Sequence, residues 1–341
     1  MHTSLSRKVS LAVCCCILGG TVALFGSAAA GENLRPRGEL TIKHQYGLPI
    51  AELSGLALFR TIEKPKGGPD AQGMSLYAVG DATHEVATLY IESPFADTGI
   101  RVKDVAPVLR KRTEAVSQWE AVAADGLNTI CILSETHSEV SCLDRSLKQI
   151  RGILKLDVSR IKHLDHLWRE APNSRGEGML LMKKGHLLVL KEKQPSMLIE
   201  FGPEGDDPIG YGPATFLGPG EAFAAPWPQE LAWSEFLSYT ALKTWEFSDQ
   251  LEKLATDASE ITLGPDGRVY LLSQESSTLI RLKKIPGEDE VNADAYWTLP
   301  AGMSKAEGLV IDTKMRPWIG IDIKQRDKPN LFRMSPIDSA P

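Results

Sequence analysis

The stretch from Asp257 to Leu282, DASEITLGPDGRVYLLSQESSTLIRL, sets the pattern for the chain. Two alternating apolar runs, Ile261-Thr262-Leu263 and Val269-Tyr270-Leu271-Leu272, are joined by Gly264-Pro265-Asp266-Gly267, and a third run, Thr278 to Leu282, follows a polar turn. Period-two alternation broken by Pro-Asp-Gly predicts an antiparallel meander.

The same pattern recurs along the chain. Gly38 to Gln45 is a lone strand without a nearby partner, and Ser54 to Phe59, Ser75 to Gly80 and Val86 to Tyr90 make a meander with a long first loop. Later units run from Trp119 to Gly126, from Glu177 to Gly185 and from Ala306 to Asp312, each followed by further short strands. Asp157 to Glu170 and Phe247 to Thr256 are the best short-helix candidates, both between units.

The unit starts are Ser54, Glu120, Glu177, Glu260 and Glu307. The interval from Glu177 to Glu260 is about 80 residues against roughly 50 to 65 elsewhere, so a sixth unit is expected between Phe201 and Phe247, with Leu237 to Phe247 as its clearest strand. The expected fold is all-β: a six-bladed β-propeller of four-stranded antiparallel blades, its last blade completed by Gly38 to Gln45. Ring closure removes the edges that an open sheet would have to protect.

The N-terminus reads as an export signal. Arg7 and Lys8 precede an apolar run from Leu11 to Phe25, and Ser27-Ala28-Ala29-Ala30 supplies small residues for cleavage after Ala30. Residues 1–30 are then a signal peptide and 31–341 a single domain. Secretion or a periplasmic location follows, with a lipoprotein or uncleaved anchor through Cys14, Cys15 or Cys16 as the alternative. No other stretch approaches the roughly 20 apolar residues of a membrane span. The mature chain would keep Cys131 and Cys142. A hairpin centred on Thr136-His137 pairs positions whose numbers sum to 273, which sets these cysteines opposite one another. An oxidising compartment would make them a disulfide, and a pair of buried thiols is the other reading.

A net charge of -6 across 341 residues gives no basic field for nucleic acid, and the Leu109 to Arg112 run reads as a solvated patch. A monomer is expected, with a small molecule, a glycan or an extracytoplasmic protein as partner.

The Ser-Gly-Leu, Glu-Gly-Met and Glu-Gly-Leu starts, with LYAVGD, CILSE, LLVLKEK and VYLLSQES on the second strands, resemble the six-bladed propellers of the SdiA-regulated (YjiK-like) and phytase-like esterase families. These are similar in turn to calcium-dependent lactonase propellers of the senescence-marker and paraoxonase type. The likeness spans Glu52 to Met334, and it implies the fold more strongly than any chemistry. Trp119-Glu120-Ala121 and Ser259-Glu260-Ile261 depart from it by lacking Gly after the acidic residue.

In a blade, the first strand begins on the face where the second ends. One face of the ring should therefore carry an inner circle of Ser54, Glu120, Glu177, Glu260 and Glu307. A neighbouring circle would hold Asp81, Glu135, Glu192, Glu275 and Asp322. Converging carboxylates repel unless a cation or protons intervene. Ca²⁺ suits an irregular set of oxygens, while hydrogen bonds from these glutamates to rim N–H groups are the competing explanation. With Ca²⁺ bound, hydrolysis of an ester, lactone or phosphoester becomes accessible, with Glu120 and Glu177 as candidate catalytic groups. A non-catalytic binding propeller is the alternative.

Other chemistry has less support. His84, His137 and His186 fall at hairpin turns and His163 and His166 in a connecting helix, all read as solvated structural residues; His44 lies in the closing strand. Gly205 to Gly210, GDDPIG, is similar to the Asp-Asp-Pro of β-propeller phytases but stands alone and reads as a turn. There is no Gly-x-Ser-x-Gly elbow and no phosphate-binding glycine loop. The stretch from Gly202 to Trp233, rich in Pro and aromatics, is the least repeat-like: a loop over one end of the channel or packing against a blade edge.

Overall fold

The computed structural model describes residues 34–63, 71–91, 99–109, 116–170, 174–193, 195–228 and 236–338. The expected signal peptide lies outside the described residues. Strand β1 is Ile42–Tyr46. Strands β2 (Leu53–Glu63), β3 (Ala71–Gly80), β4 (Glu85–Ile91) and β5 (Ile100–Asp104) form the first antiparallel sheet, followed by the short helix α1 (Ala106–Leu109). The second comprises β6 (Trp119–Ala124), β7 (Thr129–Ser134), β8 (Glu139–Asp144) and β9 (Ile150–Asp157), and α2 (Lys162–Glu170) leads on.

The third contains β10 (Gly178–Leu181), β11 (Leu187–Lys191), β12 (Met197–Pro203) and β13 (Leu237–Phe247), after which comes α3 (Asp249–Leu254). The fourth contains β14 (Ala258–Leu263), β15 (Val269–Ser273) and β16 (Thr278–Leu282); its fourth member is β18 (Ala293–Thr298), since β17 (Glu290–Val291) pairs with β13. The last is β19 (Ala306–Ile311), β20 (Pro317–Ile321) and β21 (Leu331–Met334), completed by β1 as expected.

The described residues thus make five blades, and the six expected from spacing is corrected to five. First strands β2, β6, β10, β14 and β19 pack in a cycle, each against the next and β19 back against β2. Leu237–Phe247 starts no blade: it is the outer strand of the third, antiparallel to β12 and parallel to β9 of the second. The excess length between Glu177 and Glu260 is the connection from β12 to β13.

Five hydrophobic clusters fill the five spaces between blades. Strand β11 shows why its residues are apolar throughout: Leu187 and Val189 face one cluster, Leu188 and Leu190 the next. Successive side chains point to opposite faces of a strand, and both faces of a blade are covered. Cys131 and Cys142 are directly paired across β7 and β8, in the register summing to 273, and form the disulfide.

Candidate functional site

Four of the five first strands enter the ring through a local irregularity that turns one side chain toward the mouth. In four blades the ladder skips a residue near the strand start: Ser54, Glu120, Ser259 and Glu307. Glu177 occupies the matching position in the third, its N–H bonded to the Leu190 carbonyl just before β10. Such bulges re-aim side chains. The inner circle is therefore Ser54, Glu120, Glu177, Ser259 and Glu307, and the assignment of Glu260 to it is corrected by one residue. Residues following the second strands are Asp81, Glu135, Glu192, Gln274 and Asp322, so Glu275 is likewise displaced by Gln274. Glu275 is exposed. The fourth blade is shifted by one because Ser259-Glu260-Ile261 matches Ser54-Gly55-Leu56, not Glu307-Gly308-Leu309.

The two serines are committed to joining blades. Ser54 donates its hydroxyl proton to the Trp119 carbonyl and Ser259 to the Ala306 carbonyl, in each case the residue just before the next blade's glutamate. Glu120, Glu177 and Glu307 remain as the acidic inner set.

Carboxylates crowd around them. Burial raises Glu120 to about 8, reinforced by Glu135 and Asp81. Burial raises Glu307 to about 9, with Asp322 and Glu120 adding to the shift and Lys305 opposing it. Glu177 is pushed well above its ordinary value by burial and then by Glu120, Glu135, Glu192 and Glu307. In the outer circle, burial lifts Glu192 to about 7 and Asp81 to about 6. Carboxyl groups bond one another in pairs: Glu177 with Glu135, Asp81 with Glu52, Glu192 with Asp257. Carboxylates this close resist full ionisation and hold protons instead.

Cations sit at the margin. Lys193 Nζ is 2.8 Å from Glu192 and 3.6 Å from Asp257, Lys324 is 3.2 Å from Glu52, and Lys305 pairs with Asp322. The Arg175 backbone N–H donates to Glu135 Oε1 at 2.8 Å. Asp81 Oδ1 and Asp322 Oδ1 are buried without a hydrogen-bond partner. Among the described residues, no three His, Cys, Asp or Glu side chains stand at the spacing of a ready-made metal cage.

No protein-family model matches this chain, and no curated protein sequence matches it. Solved structures do resemble it. A glutaminyl cyclase from Myxococcus xanthus aligns over 88% of this chain and 98% of its own, at 11% identity and a TM-score of 0.47. A gluconolactonase from Xanthomonas campestris aligns over 86% and 94%, at 10% identity and a TM-score of 0.42. A virginiamycin B lyase from Staphylococcus aureus covers 88% and 89%, at 10% identity and a TM-score of 0.41. Identities this low carry nothing about chemistry.

Glu260 has a different place from the one expected. The residue after each inner-circle position is small in the other blades: Gly55, Ala121, Gly178 and Gly308. A Cβ at Gly55 would lie 2.9 Å from the Val122 nitrogen, and one at Gly178 would lie 2.6 Å from that of Ile261, so adjacent blades meet backbone to backbone there. Glu260 takes this position in the fourth blade. Its carboxyl lies one layer below the mouth: Oε1 accepts from the Ile261 N–H at 2.9 Å, the backbone N–H groups of Leu56 and Met179 face it from two other blades, and Oε2 is buried without a hydrogen-bond partner.

At the other end of the ring, the connection after β12 crosses under the first strands. Lys183 N–H bonds to the Thr215 carbonyl, Gly126 N–H to the Glu221 carbonyl, and Phe223 N–H to Asp125 Oδ2. His186 anchors its start and corrects the reading of that residue as solvated: it is fully buried, with Nδ1 2.7 Å from Glu200 and Nε2 3.2 Å from Asp206. Glu200 also accepts from the Ile209 and Gly210 N–H groups, so GDDPIG is tied to the blade. The other histidines stay peripheral: His44, His163 and His166 are exposed, His137 lies 3.1 Å from Ser134 Oγ, and His84 packs edge-on against Trp119.

Proposed function

We propose that this chain is an exported propeller whose acidic mouth binds a divalent cation, Ca²⁺ best of all, and hydrolyses a small ester, lactone or phosphoester there. The observation that carries the reading is the convergence of Glu120, Glu177 and Glu307, whose affinity for positive charge is raised in concert. The donors suit such an ion in kind, being all oxygen with two buried ones, Asp81 Oδ1 and Asp322 Oδ1, without partners, although among the described residues no three of them already stand at metal-ligand spacing. Glu120, Glu177 and Glu307 would hold the cation, with Asp81, Glu135, Glu192 and Asp322 around them. When bound, it supplies polarisation of a carbonyl or phosphoryl oxygen. A carboxylate of the surrounding set that does not ligate the ion, such as Glu192, could take the proton of an attacking water. The disulfide supports export, and among the described residues no helix is long and apolar enough to cross a membrane.

A binding protein without turnover is the second reading, favoured by the carboxyl pairs at the mouth, which already satisfy one another. Lactones, aryl esters and phosphomonoesters assayed with and without Ca²⁺ separate the two. Hydrolysis that needs Ca²⁺ and falls at least tenfold in Glu177→Gln and Glu307→Gln supports the enzyme; Ca²⁺ binding with no turnover supports the binder.

A further inference from the structure

Below the Glu260 carboxyl lies a half-open chamber of about 290 Å³, lined by first-strand residues of all five blades and by Pro213 and residues 216–219 of the crossing loop. Its lining includes Leu56, Met179 and Ile261, whose backbone N–H groups face Glu260. The side chain therefore stands between the acidic mouth and this space.

The chamber's chemistry differs from the mouth's. Each first strand ends its sheet, so its ladder partner is on the outer side only and its inner edge faces the axis. The wall is consequently built from backbone N–H and C=O groups, interspersed with carbon. Among the described residues, the only polar side chains lining it are Asp125 and Thr262. Asp125 is fully engaged: Oδ1 accepts from the N–H groups of Leu127, Asn128 and Thr129, and Oδ2 from Phe223. The space offers paired donors and acceptors without a free charge, under a loop pinned by the His186–Glu200–Asp206 cluster.

We propose that this chamber is a second binding site, taking a compact neutral molecule with amide-type donors and acceptors. Strand edges pair with groups like their own, as in the addition of a peptide strand to a sheet. A cavity of 150 Å³ holds benzene, so this one has room for about a dozen non-hydrogen atoms. Ions are disfavoured, because no side chain in the chamber is free to neutralise them.

The test uses the full mature protein and the cyclic dipeptide of glycine as probe, followed by ligand-observed NMR. Saturable binding below about 10 mM is expected, with nuclear Overhauser contacts from the probe to the methyls of Leu180, a partly buried lining residue. Toluene, acetate and methylammonium should bind at least tenfold more weakly. Leu217→Trp, which fills the chamber from the loop, should weaken probe binding tenfold or more, whereas Glu177→Gln should leave it unchanged. The Leu180 contact is read on unaltered protein, so the site is tested even if the Trp variant fails to fold. Absence of saturable binding, preference for toluene or a charged probe, or loss through Glu177→Gln in place of Leu217→Trp overturns the proposal. None of these readouts depends on Ca²⁺ at the mouth.

Discussion

The acidic mouth makes stability depend on pH in a direction opposite to that of ordinary surface carboxylates. With no metal present, Glu120 and Glu307 hold protons to about 8 and about 9 in the folded state, against 4.5 when unfolded. A raised folded value means that the folded state keeps a proton which the unfolded chain releases. The stabilisation is therefore complete below about 4.5 and is lost as pH rises toward the folded values. Each group contributes a slope of about 1.4 kcal/mol per pH unit. Across two units, from about pH 5.5 to about pH 7.5, the pair costs about 5 kcal/mol, a large part of a domain's usual 5–15 kcal/mol. Urea unfolding in chelator at three pH values across that range measures it. Glu120→Gln and Glu307→Gln, which cannot ionise, should each remove one unit of slope. Stability that is flat or rises with pH in the parent protein would refute the crowded-carboxyl account.

Three further outcomes are expected. Glu260→Gly, which installs the residue found at positions 55, 178 and 308, leaves the Ile261 N–H without its acceptor and should cost about 1–3 kcal/mol; formate should restore part of the lost Tm. Replacing both Cys131 and Cys142 by Ser should cost about 3 kcal/mol, measured by denaturant unfolding, because the bridge closes a short loop with a sequence separation of 11. Burial alone would lower His186, but its bonds to Glu200 and Asp206 outweigh this and raise it. Its contribution is thus present in full below about pH 6.5 and fades as pH rises through the folded value, so proteolytic cutting between residues 204 and 228 should increase with pH and be fast at all pH in His186→Ala.

Local pattern carried most of the architecture. Alternating runs and Pro-Asp-Gly turns located the meanders, the hairpin register of Cys131 and Cys142 followed from one turn, and Ile42–Tyr46 closes the last blade as its isolation implied. Errors arose where one residue or one loop broke the repeat. Counting units by spacing treated the β12–β13 connection as a blade, although its Pro-rich composition already marked it as different. Reading the fourth blade by its acid put Glu260 in the circle, because a bulge leaves no trace in alternation and a one-residue slip turns a side chain elsewhere. Aligning Ser259 with Ser54 would have revealed it. His186 was illegible for another reason: its partners Glu200 and Asp206 lie on another strand and on the loop, and nothing in the local sequence announces them.

The central claim is that the mouth binds a divalent cation in exchange for protons. Calorimetric titration of the metal-free protein with Ca²⁺ near pH 7, repeated in two buffers of different ionisation enthalpy, measures both quantities at once. Binding of one ion per chain with release of one or more protons, both abolished in Glu177→Gln combined with Glu307→Gln, is the predicted result; no binding at millimolar Ca²⁺, or binding without proton release, would contradict it.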